Sequence, residues 1–446
     1  MSAQAKLAGR RRLTQAELDL IVGSHERYLQ RKPGGRRASL RFVHLGGLNL
    51  SGRNLSEADL SASVLEGCRL IRTKLERADL FGCDLRMADL RQAVMVKADL
   101  RGVCLRGANL AQADLTGADF REGKVAIPGA KNGLDISRHE ERPGEVDQAN
   151  FTGAILNDAE LSGVSAFAAD FTDCSLVGAK LIGANLKDAN FSGALMENAD
   201  MSGANLDNAN FAGAVLVGAN LMKASTQGAR MEQVLREPTQ EAVDKAPELL
   251  ERAKANQAWC KTGGKEGAAA KMDNEDLRPL GAALKGARLT AMSAKGAVMV
   301  GLDLSGAHLQ GAKLEGADLR AANLRGADLR GAKLMRADLT KADLRGAYLG
   351  PLPLGGREIP TDVTGAKLRY VFAQTANLTA AVLDDADMRG ADLTAAVMDG
   401  VSIKDVDFRQ VQGFEPPKGE PTHDEFGPLP PKDPPLIEAA EEAPPE

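Results

Sequence analysis

The sequence predicts an all-β solenoid with four sides to each coil, and two regularities lead to this prediction. The first is a five-residue block with the pattern Ala-Asp/Asn-Leu-x-Gly, which recurs through most of the chain. A period of five matches neither the α-helical repeat of about 3.6 residues nor the strand repeat of two, so each block must hold a short strand and a bend. The second is a 20-residue spacing of phenylalanines, which four blocks per coil would stack in one inward column: Phe151, Phe171, Phe191 and Phe211.

The apolar centre of each block follows a small residue by two positions, as Leu100 follows Ala98. Residues two apart in an extended chain face the same way, so both point inward and the Asp or Asn between them faces solvent. The glycine that often ends the block suits a tight corner, because glycine adopts backbone angles that a side chain resists. A coil this narrow has no room for a substrate, so function must lie on the outer faces, at the ends or in the interruptions.

This block pattern resembles that of the pentapeptide-repeat proteins over more than half of the chain. The resemblance implies the fold of that family, a right-handed quadrilateral β-helix, here with short helical caps or insertions. It also suggests one specific function, because the quinolone-resistance branch of the family resembles duplex DNA in shape and charge and binds type II topoisomerases. Such mimicry requires a continuous acidic stripe.

Breaks in the five-residue register divide the chain into six segments. They are a basic, disordered N-terminus (1–13), a helical lid (14–43), a first β-helix (44–231) with a loop insertion (122–148), a helical insertion or second lid (232–280), a second β-helix (281–409) with a loop (350–362), and a disordered, proline-rich acidic tail (410–446). Two capped solenoids are favoured over one continuous rod with a helical insertion on its flank. The open end of a β-helix exposes apolar core and unpaired backbone, which a lid would cover.

Two predicted helices with similar patterns precede the two solenoids. Thr14 and Glu17 predict a capping box at the start of the first helix, and Pro247 is expected to begin the second. Each helix carries three residues with spacings of seven and then three: Leu18, His25 and Tyr28 in the first, and Leu249, Asn256 and Trp259 in the second. The repeated spacing indicates a duplicated lid, and His25 is interpreted as part of that lid rather than as a ligand.

Two sets of outward residues are candidate contact sites for a partner. One is a column of carboxylates on one face of the first solenoid: Asp59, Asp79, Asp99 and Asp119. Arg101 and Arg121 follow two of these carboxylates by two positions and are expected to neutralise them. The other set is the loop at 122–148, with Arg138 and His139, because loops that leave a rigid scaffold are common sites of partner contact.

No pattern of catalytic or cofactor-binding residues stands out. The five cysteines show no Cys-x-x-Cys spacing and the five histidines are scattered, so no metal site is expected. The sequence has neither a Gly-x-Ser-x-Gly motif nor a complete phosphate-binding loop, so we expect no cofactor and no enzymatic activity. No apolar run is long enough for a membrane span, which favours a cytoplasmic protein. The basic N-terminal cluster lacks accompanying aromatic residues, so a nucleic-acid partner is not expected.

Three functions remain compatible with the sequence. The leading interpretation is a non-enzymatic scaffold or adaptor that binds protein partners of unknown identity. The second is a DNA mimic that binds a type II topoisomerase, although among the stretches 45–120, 151–231 and 281–350 only the second has more acidic than basic residues. The third is a rod that assembles with copies of itself into a homo-oligomer.

Overall fold

The computed structural model describes residues 10–128 and 134–414, which form two stacks of coils. Within each stack, residues one coil apart pair through parallel bridges, as Asp59 pairs with Asp79. A partner 20 residues away corresponds to four blocks of five, so the prediction of a four-sided solenoid is confirmed. Apart from a bridge between Arg12 and His44, the bridges of the first stack lie within residues 39–235, and those of the second lie within residues 271–412.

Main-chain hydrogen bonds join each coil to the next, and two inward side chains per block fill the interior. The amide of Leu60 donates to the carbonyl of Asp79 at 2.8 Å, and the amide of Asp79 donates to the carbonyl of Ala58 at 2.9 Å. Centres such as Leu60 and small residues such as Ala58 are fully buried. The inward phenylalanine rings stack at centroid distances of 4.9, 4.9 and 5.0 Å along the series Phe151, Phe171, Phe191 and Phe211.

The two stacks have separate hydrophobic cores, and a helix lies against one end of each. Helix α1 spans Gln15–Leu29 and begins with the predicted capping box. Helix α2 spans Gln240–Lys261, and a turn of 3-10 helix, Arg278–Leu280, follows it. The buried residues of the helices are Leu18, Val22 and His25 in α1 and Leu249, Ala253 and Asn256 in α2.

Two antiparallel β-hairpins leave the coils without interrupting the stacking. Their strands are β1 (Gly123–Pro128) with β2 (Leu134–Arg142), and β3 (Leu352–Leu354) with β4 (Arg357–Ile359). Pairing between coils continues across both insertions, because Cys104 pairs with Glu145 and Lys333 pairs with Asp362. The two segments predicted to be loops therefore contain hairpins, each inserted at one corner of a coil.

The predicted start of the second lid is wrong. Helix α2 begins at Gln240 rather than at Pro247, which lies inside the helix. The reason is the cap at Thr239, whose hydroxyl accepts a hydrogen bond from the amide of Ala242 at 3.3 Å. Such a cap satisfies one of the free amides of the first turn, so the helix starts seven residues earlier than predicted.

The predicted limits of the solenoids are also wrong by a few residues. Ser39 and Lys271 already pair with the next coil, so the stacks begin before residues 44 and 281. Gln412 pairs with Asp392, so the second stack continues beyond residue 409. The block at Lys271 was missed because the 3-10 turn Arg278–Leu280 breaks the five-residue register before Leu284. The block at Gln412 was missed because Gly413 stands in place of the apolar centre.

Part of the N-terminus that was predicted to be disordered is ordered. Arg12 pairs with His44 on the first coil, and Leu13 is 4% exposed within the first core. Residues 10–13 thus continue the solenoid edge that α1 follows. Residues 1–9 and the acidic tail after residue 414 lie outside the described residues.

The two stacks lie side by side and run in opposite directions, an arrangement that the sequence analysis did not predict. A middle coil of the first stack contacts the last coil of the second stack, and the last coils of the first stack contact the first coils of the second. The hydrogen-bonded pairs are Gln112 with Gln410, Gly153 with Lys341, Asp173 with Arg369, Gly213 with Arg320 and Arg236 with Arg278. We call this contact region the seam.

Candidate functional site

A buried lysine lies in the seam. The ammonium of Lys341 donates to the carbonyl oxygen of Gly153 at 2.8 Å and lies 5.1 Å from the ring centre of Tyr370. Only 7% of Lys341 is exposed. Burial lowers the pKa of Lys341 to about 8, against the opposing effect of the Asp173 carboxylate. The charge of this side chain therefore depends on pH just above neutrality.

Asp173 supplies the negative charge of the seam. Its carboxylate accepts a hydrogen bond from Nη1 of Arg369 at 2.6 Å, and the residue is 3% exposed. Burial raises the pKa of Asp173, although the cations of Arg369 and Lys341 act in the opposite direction. Removing one partner of such a buried cluster leaves an uncompensated charge, so the three side chains depend on one another.

Close packing at the seam requires glycine at residue 153. Gly153 has a φ of +70°, and a Cβ atom there would lie 2.3 Å from Cε1 of Tyr370. Gly390 places the backbone of the second stack against the same ring, since its Cβ would lie 2.5 Å from Cδ1 of Tyr370. Tyr370 is thus held between two glycine corners, one on each stack.

An apolar cluster forms another part of the seam. Leu195 and Val215 of the first stack pack with Val300 of the second, and Leu235 packs against them. The first-stack residues occupy the outward position that Asp or Asn fills in about half of the blocks, and they recur every 20 residues. This replacement was the sequence signal for a covered outer face, and the sequence analysis missed it.

The seam also joins stretches of opposite charge. Residues 151–231 contain eight acidic and four basic residues, whereas residues 281–350 contain six acidic and 11 basic residues. The antiparallel arrangement places these two stretches beside each other. Electrostatic complementarity of this kind fixes which faces meet.

A cleft of about 550 Å³ opens beside the seam. Its charged lining residues are Arg320, Arg336, Lys367, Arg369, Asp318 and Asp338 from the second stack and Asp173 from the first. Arg320 and Arg369 are paired with carboxylates at 2.6 Å, whereas Arg336 is exposed. The cleft is therefore a polar, charged groove rather than an apolar ligand pocket.

The four carboxylates of the predicted column follow one another through successive bridges between coils: Asp59, Asp79, Asp99 and Asp119. Arginines neutralise three of them, in the pairs Arg41–Asp59 at 3.5 Å, Arg101–Asp99 at 2.6 Å and Arg121–Asp119 at 2.8 Å. Asp79 has no ion pair among the described residues. Burial raises the pKa of Asp79, and the neighbouring carboxylates of Asp59 and Asp99 raise it further.

This neutralisation is general, because an Asp-x-Arg pair recurs within single blocks of both stacks. The pairs are Asp84–Arg86, Asp89–Arg91, Asp99–Arg101, Asp119–Arg121, Asp276–Arg278, Asp318–Arg320, Asp328–Arg330, Asp343–Arg345, Asp387–Arg389 and Asp407–Arg409. In Asp99–Arg101, Nε and Nη2 of the arginine donate to the two carboxylate oxygens at 2.9 and 2.6 Å. Carboxylates held in this way present little free negative charge to a partner.

The other predicted contact residues, Arg138 and His139, lie on β2. The backbone of His139 pairs with Ala126 on β1, beside an irregularity in the register. The hairpin leaves the coil directly after the block that contains Asp119 and Arg121. The column and the hairpin are therefore neighbours in the chain.

The two lids contact the first coils of their stacks through the same pair of hydrogen bonds. Nδ1 of His25 accepts from the amide of Ala38 at 3.1 Å, and its Nε2 lies 2.9 Å from the carbonyl oxygen of Ser56. Asn256 likewise accepts from a backbone amide at 2.9 Å and donates to a carbonyl at 3.2 Å. His25 is therefore neutral with its proton on Nε2, and both of its ring nitrogens form hydrogen bonds that hold the lid on the first coil.

The remaining predicted lid residues differ in burial. Leu18 and Leu249 are fully buried, with at most 1% exposed. Tyr28 is 40% exposed and stacks on His25 at a centroid distance of 5.9 Å, and Trp259 is half-buried beside Gly264. The first two positions of each triplet thus lie on the core, whereas the third lies at the lid's margin.

Replacing His25 with asparagine is expected to remove an acid-sensitive component of stability. Burial lowers the pKa of His25 below its ordinary value of about 6.5, so the folded protein resists the protonation that the unfolded chain accepts. Stability from this group is complete above pH 6.5 and falls as the pH drops. The melting temperature should therefore fall less between pH 7.5 and pH 5 for His25→Asn than for the unchanged protein. An equal fall in melting temperature would contradict the role of His25 as a buried neutral group of the lid.

Two further features bear on function. Among residues 10–128 and 134–414, no group of three or more His, Cys, Asp or Glu residues could hold a metal ion. Over the same part of the chain, no helix has the length and apolar character needed to cross a membrane.

Comparison with known proteins identifies the repeat. The family model for pentapeptide repeats matches the chain in overlapping segments that together cover residues 36–124, 147–235, 282–350 and 374–410. No curated protein matches the sequence.

Several solved structures are similar to parts of the chain. A pentapeptide repeat protein, Rfr23 from the cyanobacterium Cyanothece 51142, is 28% identical over 31% of this chain and 91% of its own, with a TM-score of 0.23. QnrB1, a plasmid-mediated fluoroquinolone resistance protein, is 18% identical over 47% of this chain and 98% of its own, with a TM-score of 0.22. HetL from Nostoc sp. strain PCC 7120, a pentapeptide repeat protein involved in regulating heterocyst differentiation, is 20% identical over 87% of this chain and 94% of its own, with a TM-score of 0.10.

The family matches cover more than half of the chain and follow the same blocks that form the coils. This chain therefore belongs to the pentapeptide-repeat family, and its fold is the right-handed quadrilateral β-helix that the resemblance implied.

Proposed function

We propose that this protein is a non-enzymatic scaffold or adaptor that binds protein partners on elements displayed by two docked β-helices. The observation that supports this proposal best is the pair of β-hairpins. Both leave a coil at a corner while the bridges between coils continue across the insertion, as between Cys104 and Glu145. The two hairpins are not needed to close the coils, and the coils hold them on a rigid support. Such segments are suited to contact with a partner.

Two further observations support a binding role. Proteins of this family are generally non-enzymatic structural or interaction proteins. The interior is filled by its own side chains, and many outward carboxylates are paired with arginines. The same pairing does not favour a DNA mimic. Docking of the second stack also widens the particle beyond a single rod.

Deleting residues 122–142 tests the role of the first hairpin. The deletion brings Phe120 and Val146 to the five-residue spacing of neighbouring blocks, so the coil can close without the hairpin. We expect a tagged full chain to capture a stoichiometric partner from its native host, identified by mass spectrometry, and the deletion variant to lose that partner.

The second hairpin provides a matched control. Deleting residues 352–360 brings Leu349 and Val363 to the same five-residue spacing. This variant should retain a partner that binds the first hairpin. A chain that ends after residue 414 tests the tail in the same way. If the partner is still captured after deletion of the first hairpin, of the second hairpin and of the tail, the partner does not bind these elements.

Self-assembly is a second candidate function, and the end of the first stack favours it. The last bridge of that stack joins Val215 to Leu235, so its final coil has a neighbouring coil on one side only. Met222 is 68% exposed, and Leu221 and Met231 are only partly buried. An apolar coil end of this kind can stack against another copy.

Replacing Met222 with glutamate is expected to abolish any oligomer that forms through this end. The substitution places a charge on the apolar coil end, whereas Ile182→Glu places one on a side face where Ile182 is 42% exposed. Sedimentation velocity should show oligomers that persist in high salt for the unchanged protein and for Ile182→Glu, and monomers for Met222→Glu. Dissociation by salt alone would point to charge pairing instead.

A further inference from the structure

A column of lysines runs along one face of the second β-helix. Lys313 pairs through a bridge with Lys333 in the next coil, and both side chains are exposed. Arg336, also exposed, follows Lys333 at the corner of the same block. Adjacent coils are about 4.8 Å apart, so these cations repel one another. Beyond Lys333 the column continues with Asp362, whose carboxylate already accepts hydrogen bonds from the amide and hydroxyl of one threonine at 3.1 and 2.6 Å.

These cations lie in successive coils, on a surface where many other charges are paired. The Asp-x-Arg blocks neutralise carboxylates within single blocks, and Lys295 beside the column is paired with Glu315 at 3.0 Å. Lys313, Lys333 and Arg336 have no ion pair with any residue of the described chain. We call these three residues the basic column. An uncompensated column of this kind attracts an anionic partner and is stabilised by it.

Structural features flank the basic column on both sides. On one side the β3–β4 hairpin folds over the preceding corner, where a Cβ atom on Gly331 would lie 2.6 Å from Cβ of Leu352. At the turn of this hairpin, Leu354 is 61% exposed and offers an apolar contact. On the other side the cleft begins, with Arg336 in its lining. The column therefore lies in a trough suited to an extended acidic peptide that also carries apolar residues.

The chain itself contains such a peptide. Residues 415–446 include nine acidic and two basic residues, many prolines, and apolar residues such as Leu436 and Ile437. This segment follows the last coil of the same stack. Lys333 lies three coils from Ser402, or about 14 Å along the axis, whereas a segment of this length reaches up to about 100 Å when extended. Charge and reach therefore both allow the segment to return to the column.

We propose that the basic column binds the acidic C-terminal segment of the same chain. Bound in this way, the segment screens the lysines and prevents other acidic peptides or polyanions from occupying the trough. The C-terminal segment thus acts as an internal competitor for this face. The inference does not depend on the partner proposed to bind the hairpins.

Carbodiimide crosslinking of the full chain tests the proposal, because this reagent joins a carboxylate to an amine only where the two are in contact. Peptide mass spectrometry should find residues 415–446 crosslinked to Lys313 and Lys333. Lys187, an exposed lysine on the first stack, is the internal control and should give little product. At about 1 M salt, where the screening length falls to about 3 Å, the yield at the column should drop by about fivefold or more.

A charge reversal that leaves both amines in place gives a second test. Arg336→Glu should reduce the yield at Lys313 and Lys333 by about threefold or more, whereas Lys187→Glu should leave it unchanged. Crosslinks spread evenly over exposed lysines, or none at the column, would overturn the proposal. Crosslinking a mixture of ¹⁵N-labelled and unlabelled protein distinguishes crosslinks within one chain from crosslinks between two copies. Crosslinked peptides that combine a labelled and an unlabelled partner would assign the contact to a second copy and overturn binding within one chain.

Discussion

Replacing Asp173 with alanine is expected to weaken docking of the two β-helices by about 3–5 kcal/mol at pH 7. The substitution removes the carboxylate that stabilises the charge of Lys341 and the closer of the two carboxylates paired with Arg369, since Asp387 lies 3.7 Å from it. Uncompensated buried charges of this kind are strongly destabilising. Each stack has its own core and its own lid, so the coils should remain folded while the seam opens. Small-angle X-ray scattering should show a larger maximum dimension, with an unchanged far-ultraviolet circular dichroism spectrum.

The pH dependence of the same variant provides an independent check. The pKa of docked Lys341 is about 8 in the unchanged protein, and it is lower in the variant because the Asp173 carboxylate, which raises it, is missing. An exposed lysine has a pKa of about 10.4. Docking therefore releases protons in this interval and becomes more favourable as the pH rises. The scattering profile of Asp173→Ala should return towards that of the unchanged protein between pH 8 and pH 10. Asp173→Ala combined with Lys341→Met should lack this response, and an unaltered profile for Asp173→Ala at pH 7 would contradict the role of the seam.

The four-sided fold could be predicted from the sequence because each block repeats the same five-residue pattern. The inward positions tolerate only small or apolar residues, and the 20-residue spacing from Phe151 to Phe171 fixes the number of sides. The start of the first lid was predictable because Thr14 and Glu17 act locally through a capping box. Boundaries were harder, because a break in the five-residue register separates a terminal block such as the one containing Lys271 from the regular blocks.

The seam could not be predicted because its key residues occupy corner positions, where the block pattern places few limits on residue type. A glycine such as Gly153 is ordinary at a corner, and Lys341 has the pattern of a solvated charge until the first stack docks against it. Asp173 and Arg369 are 196 residues apart, so no local pattern relates them. Only the outward apolar series, with Leu195 and others, carried a sequence signal for contact between the stacks.

Replacing Phe171 with alanine is expected to destabilise the first β-helix by about 3–5 kcal/mol. Phe171 is fully buried, and its ring stacks between those of Phe151 and Phe191 at 4.9 Å on each side. The alanine would leave a cavity that rigid coils on both sides cannot close, because the main-chain bridges fix the spacing between coils. Urea unfolding followed by circular dichroism should show this loss in the transition of the first stack.

Two control substitutions separate the cavity from a general effect of losing a phenylalanine. Phe171→Leu restores the residue type found at most centres and should lose less than about 1.5 kcal/mol, whereas Phe167→Ala, at a residue that is 38% exposed, should change stability by no more than about 0.5 kcal/mol. Because the second stack has a separate core, its transition should keep its midpoint in Phe171→Ala. Equal shifts of both transitions would mean that the two β-helices unfold as one cooperative unit. In that case the polar seam, with its buried Lys341, would couple the two stacks more strongly than their separate cores imply.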